Sequence, residues 1–292
     1  MTMPSSPTVR RRRLAAELRA IRESTGKSGD VVAAALRWSP SKISRYELAR
    51  TGLKLTDVEQ LLDYYKINDP RRSLLLTLAR DASQKGWWEE HGDNISADYR
   101  QFIGLEHEAT SMSIWHVEVV PGLLQTESYA RHIIRSYNQV EPTAPGFIER
   151  LVRVRMQRQH VLVRPPVLQL SVVLDESVLL RRIGNEAVMH EQLQHLASAA
   201  ERENISLRIM PLNKQHTIFG ESFVIFRFGE DDDDAILQDV VCTEHLRNDF
   251  SVEGERDTYL HRIAFRTLAE TALDPAASRA LIRETAQDRW AA

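Results

Sequence analysis

The sequence predicts a multidomain chain: an all-α head of about five helices followed by a mixed α/β (α+β) domain. Three observations carry this expectation. A length of 292 residues suggests two domains. Charge is unevenly shared: residues 1–72 hold 15 Lys/Arg against 8 Asp/Glu, a net of +7, while residues 73–292 hold 23 against 33, a net of −10. Apolar residues recur at helical spacing through the first 83 residues, and beyond them helical stretches alternate with β-branched ones.

Residues 1–9 are polar and contain Pro and Ser, and read as a disordered tail. Leu14, Leu18 and Ile21 recur at i, i+4 and i+7, which predicts a helix over residues 10–23. Ser28 is placed to cap a second helix carrying Val31, Val32, Ala35 and Leu36. Ser39-Pro40 reads as a cap followed by a first-turn proline, opening a third helix to about Leu48. Thr56 and Glu59 have capping-box spacing at the head of a fourth, and Arg71–Ser83 makes a fifth. The head is therefore expected over residues 10–83, with residues 84–95 as linker and residues 96–292 as the second domain.

In that second domain, Ser96–Met112, Gly122–Tyr137, Phe147–Leu162, Leu179–Ile183, Glu186–Arg202, Glu255–Leu273 and Pro275–Arg289 read as helices. Ile114–Val119, Val167–Leu174, Ile205–Met210, Ser222–Phe228 and Ala235–Val241 read as strands.

Several enzyme signatures fail on spacing. Gly26-Lys27-Ser28 ends like a phosphate loop, but Ile21 stands where its first glycine belongs. His190 and His195 are five apart, which sets the imidazoles about 140° apart around a helix and prevents a shared metal. Asp231–Asp234 lacks the alternating oxygens and distal Glu of a calcium loop, and reads as a hairpin tip. The single Cys242 excludes an internal disulfide and points to a reducing compartment. Leu14–Glu23 carries four charges, so the basic run before it does not begin an export signal. No apolar run approaches membrane-spanning length. The expectation is a cytoplasmic chain that is not an enzyme and needs no cofactor or metal.

The second and third helices are joined by Arg37-Trp38-Ser39, the short connection of a helix-turn-helix. Ser41, Lys42, Ser44 and Arg45 are short or basic residues on its second helix, suited to a major groove, while Ile43 points into the domain. The stretch Ser28–Glu47 resembles the XRE-type (Cro/repressor-type) DNA-binding domain, in Val32-Ala33, Leu36, Ile43 and the run Ser41–Arg45. The resemblance covers about residues 10–67 and implies DNA contacts from Ser28, Arg37, Ser39, Ser41, Lys42, Ser44, Arg45 and Arg50. Gly29 and Pro40 stand where that family usually has glutamines, so the preferred operator should differ from that of glutamine-bearing relatives. Arg37 takes a turn position where glycine is usual, which means either a strained turn or an accommodated residue with an added charge. Arg10–Arg13 is either an arm on the DNA or the solvated first turn of a helix.

Beyond the head, Leu105–Arg131, Trp87-Trp88, the Arg155–Arg158–Gln159 stretch, Leu174-Asp175-Glu176 and Leu268–Ile282 resemble the DUF5753 domain that follows such heads in actinobacterial regulators. The most specific segment is Val120-Pro121-Gly122-Leu123-Leu124-Gln125-Thr126. The resemblance implies a domain that senses a ligand or binds a partner, often beside small DUF397-like proteins. Trp115, Gln125, Thr126, Tyr129 and Arg155 are the candidates for that site; the alternative is a Pro-Gly turn with Thr126 as cap and Leu123 and Leu124 in the core.

Two functions follow as expectations. One is a homodimeric, sequence-specific regulator of transcription that binds double-stranded DNA and answers to an effector. The other is an antitoxin-like module that binds a small partner protein and autoregulates its operon.

Overall fold

The computed structural model describes residues 7–49, 51–83, 86–88, 95–140, 146–215, 221–228, 239–244, 250–252 and 255–291. The chain forms two compact units, one built on residues 1–90 and the other on residues 91–228 and 239–292.

The first unit is all helical: α1 (Pro7–Ser24), α2 (Gly29–Leu36), α3 (Pro40–Glu47), α4 (Leu55–Tyr64) and α5 (Arg71–Ala82). α1 starts three residues before the expected boundary, inside the segment read as tail. Proline suits a first turn, where its missing N–H has no partner to lose. The Leu14, Leu18 and Ile21 stripe is buried against Val32, Ala33 and Ile43 of α2 and α3 and against Val58, Leu61, Leu62 and Leu75 of α4 and α5. Each such burial stabilises the unit by about 1.5–3 kcal/mol. Ser28 caps α2, its Oγ accepting from Val31 N at 3.3 Å. The expected capping box at Thr56 and Glu59 does not form. Lys54 is the N-cap, its carbonyl accepting from Asp57 and Val58, which moves Thr56 inside the first turn.

The second unit begins with α6 (Ala97–Glu108) and β1 (Ser111–His116). The helix stops short of the expected Met112 because Ser111 and Met112 are paired on both sides, with Gln169 and Leu170 and with Arg227 and Phe226. A 3-10 turn at Gly122–Leu124, α7 (Glu127–Val140) and α8 (Phe147–Arg158) lead to β2 (Gln169–Asp175). The helix expected over Gly122–Tyr137 is therefore broken, with Gln125 in an extended conformation. Then follow α9 (Ser177–Leu180), α10 (Glu186–Ala199), β3 (Ile205–Met210), β4 (Phe223–Arg227), β5 (Val240–Glu244), β6 (Phe250–Val252), α11 (Glu255–Thr271) and α12 (Pro275–Asp288). Strand β6 was not foreseen. Of the strand expected at Ala235–Val241, residues 235–238 lie outside the described residues, as do Asp231–Asp234.

The strands form one mixed sheet, ordered β3-β2-β1-β4-β5-β6. β1, β2 and β3 are parallel, and β4, β5 and β6 continue antiparallel. Alternation along β1 sends Met112, Ile114 and His116 to one face and Trp115 to the other. Trp115 packs with Val173, Ile225, Val241 and Leu268 beneath α11. On the opposite face, Phe102 of α6 meets Phe226 edge-on at 5.2 Å. Among the described residues no helix is long and apolar enough to cross a membrane.

Candidate nucleic-acid interface and candidate effector cleft

The α2–α3 connection is closed by backbone bonds. Trp38 N donates to Ala33 O at 2.8 Å and Arg37 N to Ala34 O at 3.2 Å. This C-terminal cap needs a left-handed residue, normally glycine. Arg37 supplies it, with φ +56° and ψ 38°. The turn therefore carries some strain and also holds an exposed positive charge.

Along α3, Pro40, Ser41, Ser44 and Arg45 form an exposed stripe, while Ile43 and Tyr46 are buried. Ser28, Arg37 and Ser39 are also exposed. Ser39 Oγ lies 3.1 Å from Ser41 Oγ, and Arg45 Nε donates to Ser41 O at 3.2 Å. Arg50 lies outside the described residues.

Lys42 departs from the expectation that it faces outward to DNA. Its Nζ is 2.9 Å from Asp57 Oδ1 and sits 3.7 Å from the centre of the Trp38 ring. Tyr46 OH donates to the second Asp57 oxygen at 2.5 Å. Burial alone would raise the Asp57 carboxyl, but the Tyr46 and Lys42 hydrogen bonds outweigh it and hold it below its ordinary value. Burial and the same carboxylate push the Tyr46 phenol up. Lys42 thus braces α3 against α4. Arg22 of α1 adds a second brace, bonding Glu47 through two nitrogens at 2.7 and 2.9 Å.

In the second unit a cleft opens beyond the carboxyl end of β1. There the chain leaves β1 at His116 and, on the antiparallel neighbour β4, enters at Phe223, which pairs with Trp115. The cleft is lined by Tyr99, Glu106, His116, Gln125, Arg155 and Arg158 on its polar side. Glu106 and Arg158 form a buried pair, with Nε to Oε1 at 2.8 Å and Nη2 to Oε2 at 2.6 Å. Arg158 Nη1 also donates to the Tyr99 hydroxyl at 2.6 Å. Burial opposes the Arg158 charge, but Glu106 and Tyr99 outweigh it and hold the guanidinium protonated. Burial would raise the Tyr99 phenol as well; the charges of Arg158 and Arg155 pull it below its ordinary value instead.

The segment Val120–Thr126 is held by three glutamines. Gln125 Nε2 donates to Val120 O at 2.7 Å, and its Oε1 accepts from Arg155 Nη1 at 2.9 Å. Gln159 Nε2 donates to Gly122 O at 3.1 Å and to Gln125 O at 2.7 Å. Gln192, fully buried on α10, accepts from Thr126 N at 2.8 Å and donates to Leu124 O at 2.7 Å.

Of the five residues expected at this site, the structure brings Gln125 and Arg155 together. The other three lie in packing roles. Trp115 is on the far face of the sheet under α11. Thr126 caps α7, its Oγ1 accepting from Tyr129 N at 3.3 Å. Tyr129 is fully buried, its hydroxyl 3.4 Å from Val120 N. Tyr99, Glu106, Arg158 and Gln192 were missed; only Arg158, three residues after Arg155 on one helix, left a local signal. His190, weighed as a ligand, donates from Nδ1 to Ala286 O at 2.9 Å, and no metal-ligand cluster occurs among the described residues.

Comparison with known families accounts for both units. A family described as a helix-turn-helix domain matches residues 13–75. A family described as a domain of unknown function, DUF5753, matches residues 99–284, more than half of the chain. No curated protein matches it. The chain belongs to the DUF5753 family and carries a helix-turn-helix domain ahead of it.

Proposed function

We propose that the protein is a sequence-specific transcriptional regulator, reading double-stranded DNA with α3 and sensing a small effector in the β1–β4 cleft. In this reading residues 10–83 bind DNA, residues 84–95 link, and residues 96–292 sense. The helix-turn-helix domain supports a DNA-binding regulator. The observation that carries the finer reading is the exposed Ser41, Ser44 and Arg45 stripe on a helix whose other face is buried. Ser28, Ser39 and Arg37 stand beside it as phosphate contacts, and Arg50 belongs to the same proposed set. The functional unit is a homodimer in the cytoplasm, since one eight-residue reading helix supplies too few base contacts for operator-grade affinity.

The test is selection of bound duplexes with the full chain, followed by anisotropy titration at rising salt. Affinity falling steeply with salt, and falling further for Arg45→Ala, fits the reading. A chain lacking the first 83 residues that binds as tightly would overturn it.

A second reading, a module that docks a small DUF397-like partner, is favoured by Tyr259 and Leu260, adjacent apolar residues more than half exposed on α11. Co-purification of a stoichiometric small protein, lost on Leu260→Asp, would favour it.

A further inference from the structure

Among the described residues, the charges around the β1–β4 cleft do not balance. Glu106 is consumed by Arg158 through both of its oxygens. Arg155 has a neutral partner, Gln125, at one nitrogen. Its Nε is hidden from solvent and has no hydrogen-bond partner among the described residues. A shielded guanidinium N–H left unbonded costs free energy, and an unneutralised charge there costs more. An anion reaching Nε would remove both costs. The depressed Tyr99 phenol reports the same positive field.

The backbone makes room for this arrangement. A Cβ at Gly122 would stand 3.0 Å from Arg155 Cδ and 3.4 Å from Arg155 Nε, so a side chain there would make the Arg155 side chain shift by a few tenths of an ångström. Most of the remaining wall is apolar, with Phe102, Ile114, Leu123, Ile133 and Phe223, and Ser222 and Tyr137 add hydroxyls. The cleft is partly open and its space is about 50 Å³, enough for a few water-sized groups, and so suits a short molecule.

We infer that this cleft binds a small monocarboxylate with an apolar body, its carboxylate received by Arg155 beside Gln125. The inference rests on the reading of this unit as a sensor and names the class of compound it senses. Arg155, a guanidinium with no carboxylate partner among the described residues, matches a single negative charge, and the apolar part of the wall matches a short chain. A phosphate dianion would bring two charges to that guanidinium, and an amine would meet a like charge.

Fluorine NMR of the full chain with fluoroacetate and 3-fluoropropionate tests this, with 3-fluoropropanamide as the uncharged counterpart and 2-fluoroethyl phosphate as the dianion. At least one acid is expected to bind saturably, at least tenfold more tightly than the amide or the phosphate ester. Arg155→Met should weaken the acid tenfold or more and leave the amide unchanged. Should that variant fail to fold, Gln125→Glu provides the second arm: its own carboxylate beside Arg155 should exclude the acid. Acid and amide binding alike, the phosphate ester binding best, no saturable binding of either acid, or acid binding untouched by both substitutions would each overturn the inference. Operator affinity, followed in parallel, separates the two ideas. An acid that binds through Arg155 without altering operator affinity leaves the inference standing and defeats the sensor reading. A neutral or cationic compound that alters operator affinity from this cleft does the reverse.

Discussion

Lys42 Nζ lies 2.9 Å from Asp57 Oδ1, so a basic residue on α3 spends its charge inside the domain. The contact joins α3 to α4, and with Trp38 and Tyr46 it sets the angle at which the exposed stripe is presented. Lys42→Ala should therefore destabilise the head by about 1–3 kcal/mol, the cost of leaving a buried polar group without its partner. Loss of DNA affinity should follow from that unfolding. Urea denaturation of the full chain checks it; wild-type stability combined with weakened binding would make Lys42 a direct DNA contact instead.

Arg45→Ala should leave stability within about 0.5 kcal/mol, because the side chain is exposed and bonded only to Ser41 O. Its operator affinity should fall by about 1–3 kcal/mol if it reads a base. Anisotropy against a selected operator and against a scrambled duplex separates base reading from phosphate contact, since the latter weakens both alike.

Arg37→Gly should stabilise the head by about 0.5–1 kcal/mol, the left-handed penalty less the entropy glycine loses on folding. The same change removes a charge beside the exposed stripe of α3. The salt slope of binding should shrink by about one ion. Thermal melts and binding at two salt concentrations report the two effects separately.

Glu106→Gln should cost about 3–5 kcal/mol, because it strands the buried Arg158 charge. Pairing Glu106→Leu with Arg158→Met should recover much of this, since it removes both charges together. A double-variant melting point no better than that of Glu106→Gln would show that the pair matters for more than neutralisation.

Burial, reinforced by the positive charge of Arg164, holds the His107 imidazole down to about 4. Below its ordinary value near 6.5 the unfolded chain takes up a proton that the folded chain refuses. Stability should then fall as pH drops from about 6.5 toward 4 and stay flat above. His107→Asn should flatten that part of the melting-temperature profile.

How much of this could be read from sequence depended on distance along the chain. The Leu14, Leu18, Ile21 stripe and the Ser28 cap rest on spacings of a few residues, and both form. The Lys42–Asp57 bond was not legible because its partner is fifteen residues on, in a helix whose orientation no local pattern states. Thr56 was misplaced by two positions for a smaller reason: Lys54, which offers no capping side chain, sets the first turn through its carbonyl. Alternation along β1 separates Trp115 from Ile114, but which face the cleft occupies depends on helices far away in sequence. Glu106 meets Arg158 across 52 positions and Gln192 meets Thr126 across 66, so this part of the site exists only in the fold.

The three glutamines that hold Val120–Thr126 are amides and carry no ionisable proton. Acid strong enough to protonate His107 leaves these hydrogen bonds chemically unaltered, and added salt has no charge on them to screen. The frame around Arg155 should thus keep its dimensions through changes of buffer that alter both the stability of the unit and the grip of the head on DNA. A pH titration of ligand affinity would then report the ionisation of the ligand rather than a loosening of this clamp. For an acid of the class proposed above, that would make the compound's own pKa readable from the protein.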